Sequence, residues 1–114
     1  MTHTIKVQPL YYEKIKSGEK IYEVRLFDEK RKLMHAGDTL IIKKEPLLNE
    51  EIVCQIENLV HFKTFSEMAG NLPLNLVGFD STCSVKDVTR IYYSFYSKQD
   101  EEKFGVVAIK LKLL

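Results

Sequence analysis

The stretch that decides the fold runs from Ser17 to Lys44, SGEKIYEVRLFDEKRKLMHAGDTLIIKK. Its first part reads as a strand from Lys20 to about Leu26, entered after Gly18, a left-handed stop for whatever helix precedes it. A simple strand alternates between core and solvent, yet this one carries Lys20, Glu23 and Arg25 among its apolar residues. Residues two apart on a strand share a face and lie about 7 Å apart along it. Tyr22, Val24 and Leu26 therefore form the natural core side, and Ile21, Glu23 and Arg25 the other. Glu23 and Arg25 are placed to form an ion pair or to present one hydrogen-bonding edge, an acceptor beside a five-donor fork. Lys20 has the opposite parity but sits at the strand entry, where its direction is least constrained. On pattern alone a second reading stays open: a solvated face with a surface salt bridge worth about 0–1 kcal/mol.

Downstream, FDEKRKLMHAGD is too charged for a strand and reads as a helical turn or long connection closed by Gly37-Asp38, after which TLIIKK forms a third strand. Upstream, Thr4–Val7 reads as a first strand and Pro9 as the first residue of a short helix that pairs Tyr11 with Ile15 and ends at Gly18. Beyond Pro46 and Asn49, EIVCQIENLVHF alternates with period two. Thr64 and Glu67 form a capping-box pattern closed by Gly70, and NLPLNLVGFDST reads as an irregular loop. Ser84 and Asp87 open a second helix whose Val85, Val88, Tyr92 and Phe95 recur at core spacing, which leaves Tyr93 exposed. KQDEEK reads as a solvated turn. FGVVAIKLKLL is a long strand whose apolar first half suggests burial on both faces. The whole predicts one α+β domain over residues 1–114: a small β-barrel or strongly curved, mostly antiparallel sheet of about five or six strands, flanked by about three short helices.

Composition narrows the function. A chain of 114 residues buries roughly 65% of its unfolded surface, enough for one core without staples. Seventeen basic against sixteen acidic side chains leave a formal charge of +1, so affinity for nucleic acid has to come from a local patch. Cys54 and Cys83 belong to no Cys-x-x-Cys pair, and MTHTIKVQPL has no targeting pattern, which points to a cytoplasmic protein with reduced thiols. No apolar run approaches the ~20 residues of a membrane span. His3, His35 and His61 lack ligand spacing, so neither a metal nor another cofactor is expected. Ser66 and Ser84 read as helix-start residues, without the context of a nucleophile elbow.

The Ser17–Lys44 stretch resembles the signature of the ASCH domain family, whose fold is PUA-like. The shared pattern is Gly-x-Lys-x-x-Glu-x-Arg at a strand entry, here Gly18, Lys20, Glu23 and Arg25, followed by a charged stretch and a Gly-Asp, here Gly37-Asp38. The closing EEKFGVVAIKLKLL and the helix before it match the family's order, so the resemblance spans nearly the whole chain. It implies a small barrel with a cleft suited to RNA or a modified nucleoside. Arg25 would fork onto a phosphate or base edge, Lys20 would add a point charge, and Glu23 would accept from an exocyclic amine or orient Arg25. Tyr11, Tyr12 and Tyr22 are candidate stacking faces, with core packing as their other reading. Some ASCH proteins remove the acetyl group from N4-acetylcytidine with a lysine, a threonine and a glutamate. Lys20 falls on the lysine position, Glu23 on that of the threonine, and Asp80 in VGFDST is the carboxylate nearest the glutamate position. A carboxylate does not replace a hydroxyl nucleophile, which leaves Glu23 the role of general base toward water. Three functions therefore stand at this stage: an RNA- or nucleoside-binding module, an amidohydrolase of an N4-acylated cytidine, and a protein-interaction module.

Overall fold

Buried backbone has to pair, and five strands share that task in one sheet, lying in the order first, third, fourth, fifth, second along the chain. The structure, a computed structural model, describes residues 1–114. The strands are β1 (Thr2–Val7), β2 (Tyr22–Leu26), β3 (Thr39–Lys44), β4 (Glu51–Phe62) and β5 (Val106–Leu113). Only β1 and β3 run parallel; the other neighbours are antiparallel. β4 has twelve residues and a register break between Ile56 and Asn58, the irregularity that lets a long strand bend. The sheet thus curls into a half-barrel with β1 and β2 as its free edges.

Five short helices flank the sheet: α1 (Pro9–Lys16), α2 (Phe65–Asn71), α3 (Leu74–Val77), α4 (Val85–Tyr93) and α5 (Lys98–Phe104). Pro9 opens α1, where a missing N–H costs nothing. Thr64 Oγ1 accepts from Glu67 N, and Ser84 and Asp87 close a full capping box at the start of α4. No helix is long and apolar enough to cross a membrane.

β5 carries the core on both sides. Val107, Ile109 and Leu111 join Ile5, Leu40, Ile42 and Ile56 inside the curl, while Val106 and Ala108 join Val24, Phe65, Met68 and Val88 under the helices. That is why the first half of the strand is continuously apolar. In the register of β2 on β5, Val24 stands opposite Ala108 on the helix side, and Glu23 and Arg25 stand opposite Ile109 and Val107. The charged face of β2 consequently points to the inside of the curl at its open edge.

Several sequence expectations change. NLPLNLVGFDST contains α3, closed by Gly78 in the left-handed region, and is not wholly irregular. KQDEEK is the body of α5, started by Ser97, whose hydroxyl accepts from Asp100 N. Its charges suggested solvent, but Glu101 is buried. Helices therefore number five where about three were expected. Phe95 is not core, since α4 ends at Tyr93 and the chain turns before Phe95 can follow the helix face inward; the residue is 59% exposed. Tyr93 is half-buried and bonded to Glu101 at 2.7 and 2.9 Å. β2 begins at Tyr22, because Ile21 N turns aside to donate to Leu76 O and leaves Lys20 before the strand.

Candidate functional site

Lys20 is the deepest charge. Gly18, at φ +84°, reverses the chain after α1, and Lys20 N then donates to Lys14 O, fixing the backbone as it enters β2. The side chain is 3% exposed. Its Nζ donates to Tyr22 O, to Val77 O at 2.7 Å and to Glu23 Oε1 at 3.2 Å. An ammonium has three N–H donors, so none is left for a ligand. Gly78 makes this possible: a Cβ there would lie 2.8 Å from Lys20 Cδ and 3.2 Å from Tyr11 Cδ1, and its φ of +106° suits glycine. Lys14 Nζ clamps the same turn by donating to Gly78 O at 2.9 Å.

Glu23 lies between two cations. Oε1 faces Lys20, and Oε2 accepts from Arg25 Nε at 2.6 Å. Burial opposes ionisation of Glu23, but the charges and hydrogen bonds of Lys20 and Arg25 outweigh it and hold its carboxyl below the usual carboxylate range. Burial likewise pulls the Lys20 ammonium down, against Glu23. Arg25 shows the reverse balance: burial disfavours the cation, and Glu23 more than compensates. Arg25 Nη2 also donates to Lys6 O at 2.6 Å, so one side chain ties edge strand β2 to edge strand β1 across the open side of the half-barrel. Two of its five N–H groups are engaged and three remain. The triad as a whole carries one positive charge.

These residues border a cavity of about 200 Å³ between the end of β1, α1 and α4. Its walls are largely aromatic. Tyr11 meets Phe79 edge-on with centroids 6.1 Å apart, and Phe79 meets Tyr92 edge-on at 5.7 Å. Tyr96 and Phe95 complete the wall beyond α4. Burial, reinforced by the Glu23 carboxylate, raises the Tyr11 and Tyr92 hydroxyls above the usual tyrosine value. Burial raises Tyr96 as well, against the charge of Arg25. None of these three hydroxyls is held by a protein hydrogen bond, in contrast to Tyr93.

The structure brings Lys20, Glu23, Arg25 and Tyr11 together at this cavity and leaves Tyr22 and Asp80 away from its lining. Tyr22 packs against the helix-side core, and Tyr12 is buried in the other cluster beneath Lys44. Asp80 is exposed; its Oδ1 accepts from Thr82 N and Thr82 Oγ1, and those bonds hold its carboxyl low. Tyr92 and Phe95, which the sequence assigned to the core, and Tyr96, which it did not single out, line the cavity, since an i, i+3, i+4 aromatic face looks the same whether it meets a core or a cleft. No cluster of three or more His, Cys, Asp or Glu side chains is arranged to hold a metal. The site is rich in donors. A carboxylate kept ionised between two cations is a weak base, and a saturated ammonium is a poor oxyanion partner.

Two solved structures that resemble this chain share its whole length. The crystal structure of hypothetical protein PH0355 superposes with a TM-score of 0.87 at 31% identity and covers 100% of both chains. The solution NMR structure of protein PF0455 from Pyrococcus furiosus gives 0.78 at 30% identity, covering 100% of this chain and 98% of its own. No curated protein matches. The family model of the ASCH domain, a PUA-like and generally RNA-binding fold, matches residues 5–114. With the Gly18-Lys20-Glu23-Arg25 strand entry at its cleft and a family match over nearly its full length, the chain belongs to the ASCH domain family.

Proposed function

We propose that this protein is an RNA-binding module whose cleft takes a single unpaired base, or the equivalent modified nucleoside, through Arg25. The observation that carries the reading is the guanidinium itself: fixed by Glu23 on one side and Lys6 O on the other, 18% exposed, and left with three N–H groups beside an aromatic wall. A planar fork held in place loses little freedom when it meets a phosphate or a base edge. The cavity, at about 200 Å³, is smaller than the roughly 300–1,000 Å³ of pockets for drug-sized ligands, which suits one ring with the rest of the strand outside. Lys20 and Glu23 are positioning residues here, because their polar atoms are engaged within the protein. Two free thiols fit the reducing cytoplasm, where RNA is met.

A titration of labelled single-stranded RNA, followed by fluorescence anisotropy, tests this. Arg25→Ala should abolish measurable binding, and Arg25→Lys should restore only part of it, because an ammonium keeps the charge without the fork. Thermal melts of both variants separate lost recognition from a loosened β1–β2 edge. Wild-type affinity in a folded Arg25→Ala protein would overturn the proposal.

A further inference from the structure

Phe95 is anomalous among the aromatic residues of this cleft. Tyr11, Phe79, Tyr92 and Tyr96 all pack against another ring, and Phe65 is stacked on both Tyr92 and Tyr96 at 4.6 and 5.5 Å. Phe95 lines the same cavity but pairs with no ring and belongs to neither core cluster. It leaves 59% of its surface in water, forgoing much of the hydrophobic gain that burying the ring would bring. The position is nevertheless well defined. Phe95 N and Tyr96 N both donate to Tyr92 O, at 3.0 and 2.9 Å, and Ser94 Oγ bonds Ile91 O, so the turn that presents the ring is braced by α4. The same cavity is lined by Arg25, three of whose N–H groups are unengaged, and by Lys6. A pinned, exposed aromatic residue that shares a cavity with a fixed cationic donor matches a nucleotide strand, which offers a π-face and a phosphate together.

Resting on the RNA-binding reading above, we infer that Phe95 forms a stacking subsite at the mouth of the cleft, which holds a nucleobase of a single strand while Arg25 engages an acceptor of the same strand. Bases already stacked and paired in a duplex do not offer that face. The subsite therefore makes the protein selective for single-stranded over double-stranded RNA.

The test compares wild type, Phe95→Ala, Phe95→Leu, Phe95→Trp and Arg25→Ala on a short labelled single strand of mixed sequence and on its duplex. Stacking of about 1–3 kcal/mol per base corresponds to a loss of roughly 5- to 150-fold on the single strand for Phe95→Ala. Phe95→Leu, which keeps apolar bulk without a ring, should lose as much, and Phe95→Trp should bind as wild type does. Melting temperatures should stay at the wild-type value, because the replaced ring is exposed. Duplex binding should be weaker than single-strand binding and insensitive to residue 95. Wild-type affinity of both Phe95→Ala and Phe95→Leu, with binding still lost in Arg25→Ala, overturns the subsite and leaves the RNA-binding reading standing. An equal loss on single strand and duplex also overturns it. Wild type that binds neither overturns both readings and leaves Phe95 as a docking residue for a protein partner.

Discussion

Glu23 shows how much of this site depends on one carboxylate. Both of its oxygens are engaged by cations, and its neighbour Lys20 has no water to retreat to. Breaking a buried pair by removing one partner typically costs about 3–5 kcal/mol, because the remaining charge is left uncompensated, whereas removing both charges costs far less. Glu23→Gln and Lys20→Met should therefore each lower the urea-unfolding free energy strongly. The double variant should cost less than their sum, with a coupling of about 0.5–3 kcal/mol. Additive single effects would mean that the two charges do not depend on each other. The sequence made this trio legible, because Lys20, Glu23 and Arg25 fall within one local motif. What it did not disclose is the third acceptor of Lys20. Val77 O comes from 57 residues away, and no spacing rule reaches that far.

At the scale of elements, the helical layer depends on a residue hidden inside a charge run. Glu101 of α5 is 6% exposed; it accepts from Phe65 N at the start of α2 at 2.8 Å and from Tyr93 Oη of α4. One side chain thus joins three helices and satisfies a buried amide that α2 leaves open at its first turn. Glu101→Ala removes the acceptor and strands that N–H, a loss of about 1–3 kcal/mol from the amide alone. Glu102→Ala, one residue along on the exposed side, should be nearly silent. Equal melting temperatures for the two variants would show that α5 does not anchor the layer. β4 was readable from period-two alternation, β5 from its apolar run, α1 from Pro9, and α2 and α4 from their caps, for all of these signals are local. α3 and α5 were not, since a four-residue helix has scarcely one turn of pattern and KQDEEK has the composition of a solvated segment.

The molecule as a whole is nearly neutral, with a formal charge of +1, so no global field draws RNA toward it. In the proposed mode the electrostatic contribution arises at the open side of the half-barrel, where Arg25 bridges β2 to β1 and Lys6 lines the same cavity. Lys20 is no part of that contribution. Its charge is balanced by Glu23 and all of its donors are engaged, although the motif alone suggested a free point charge. The proposed mode therefore fixes the number of phosphates neutralised at one or two. Each contact on a single strand contributes about −0.7 to the slope of log affinity against log salt, so the expected slope lies between about −0.7 and −1.4. Lys6→Ala should move it toward the shallow end by removing one cation. Phe95→Ala should weaken binding without changing the slope, because stacking releases no counterions. Affinities measured over a series of salt concentrations for the three proteins decide the matter. A wild-type slope several times steeper would mean that a broad basic surface carries the binding, and this cleft would not then be its seat.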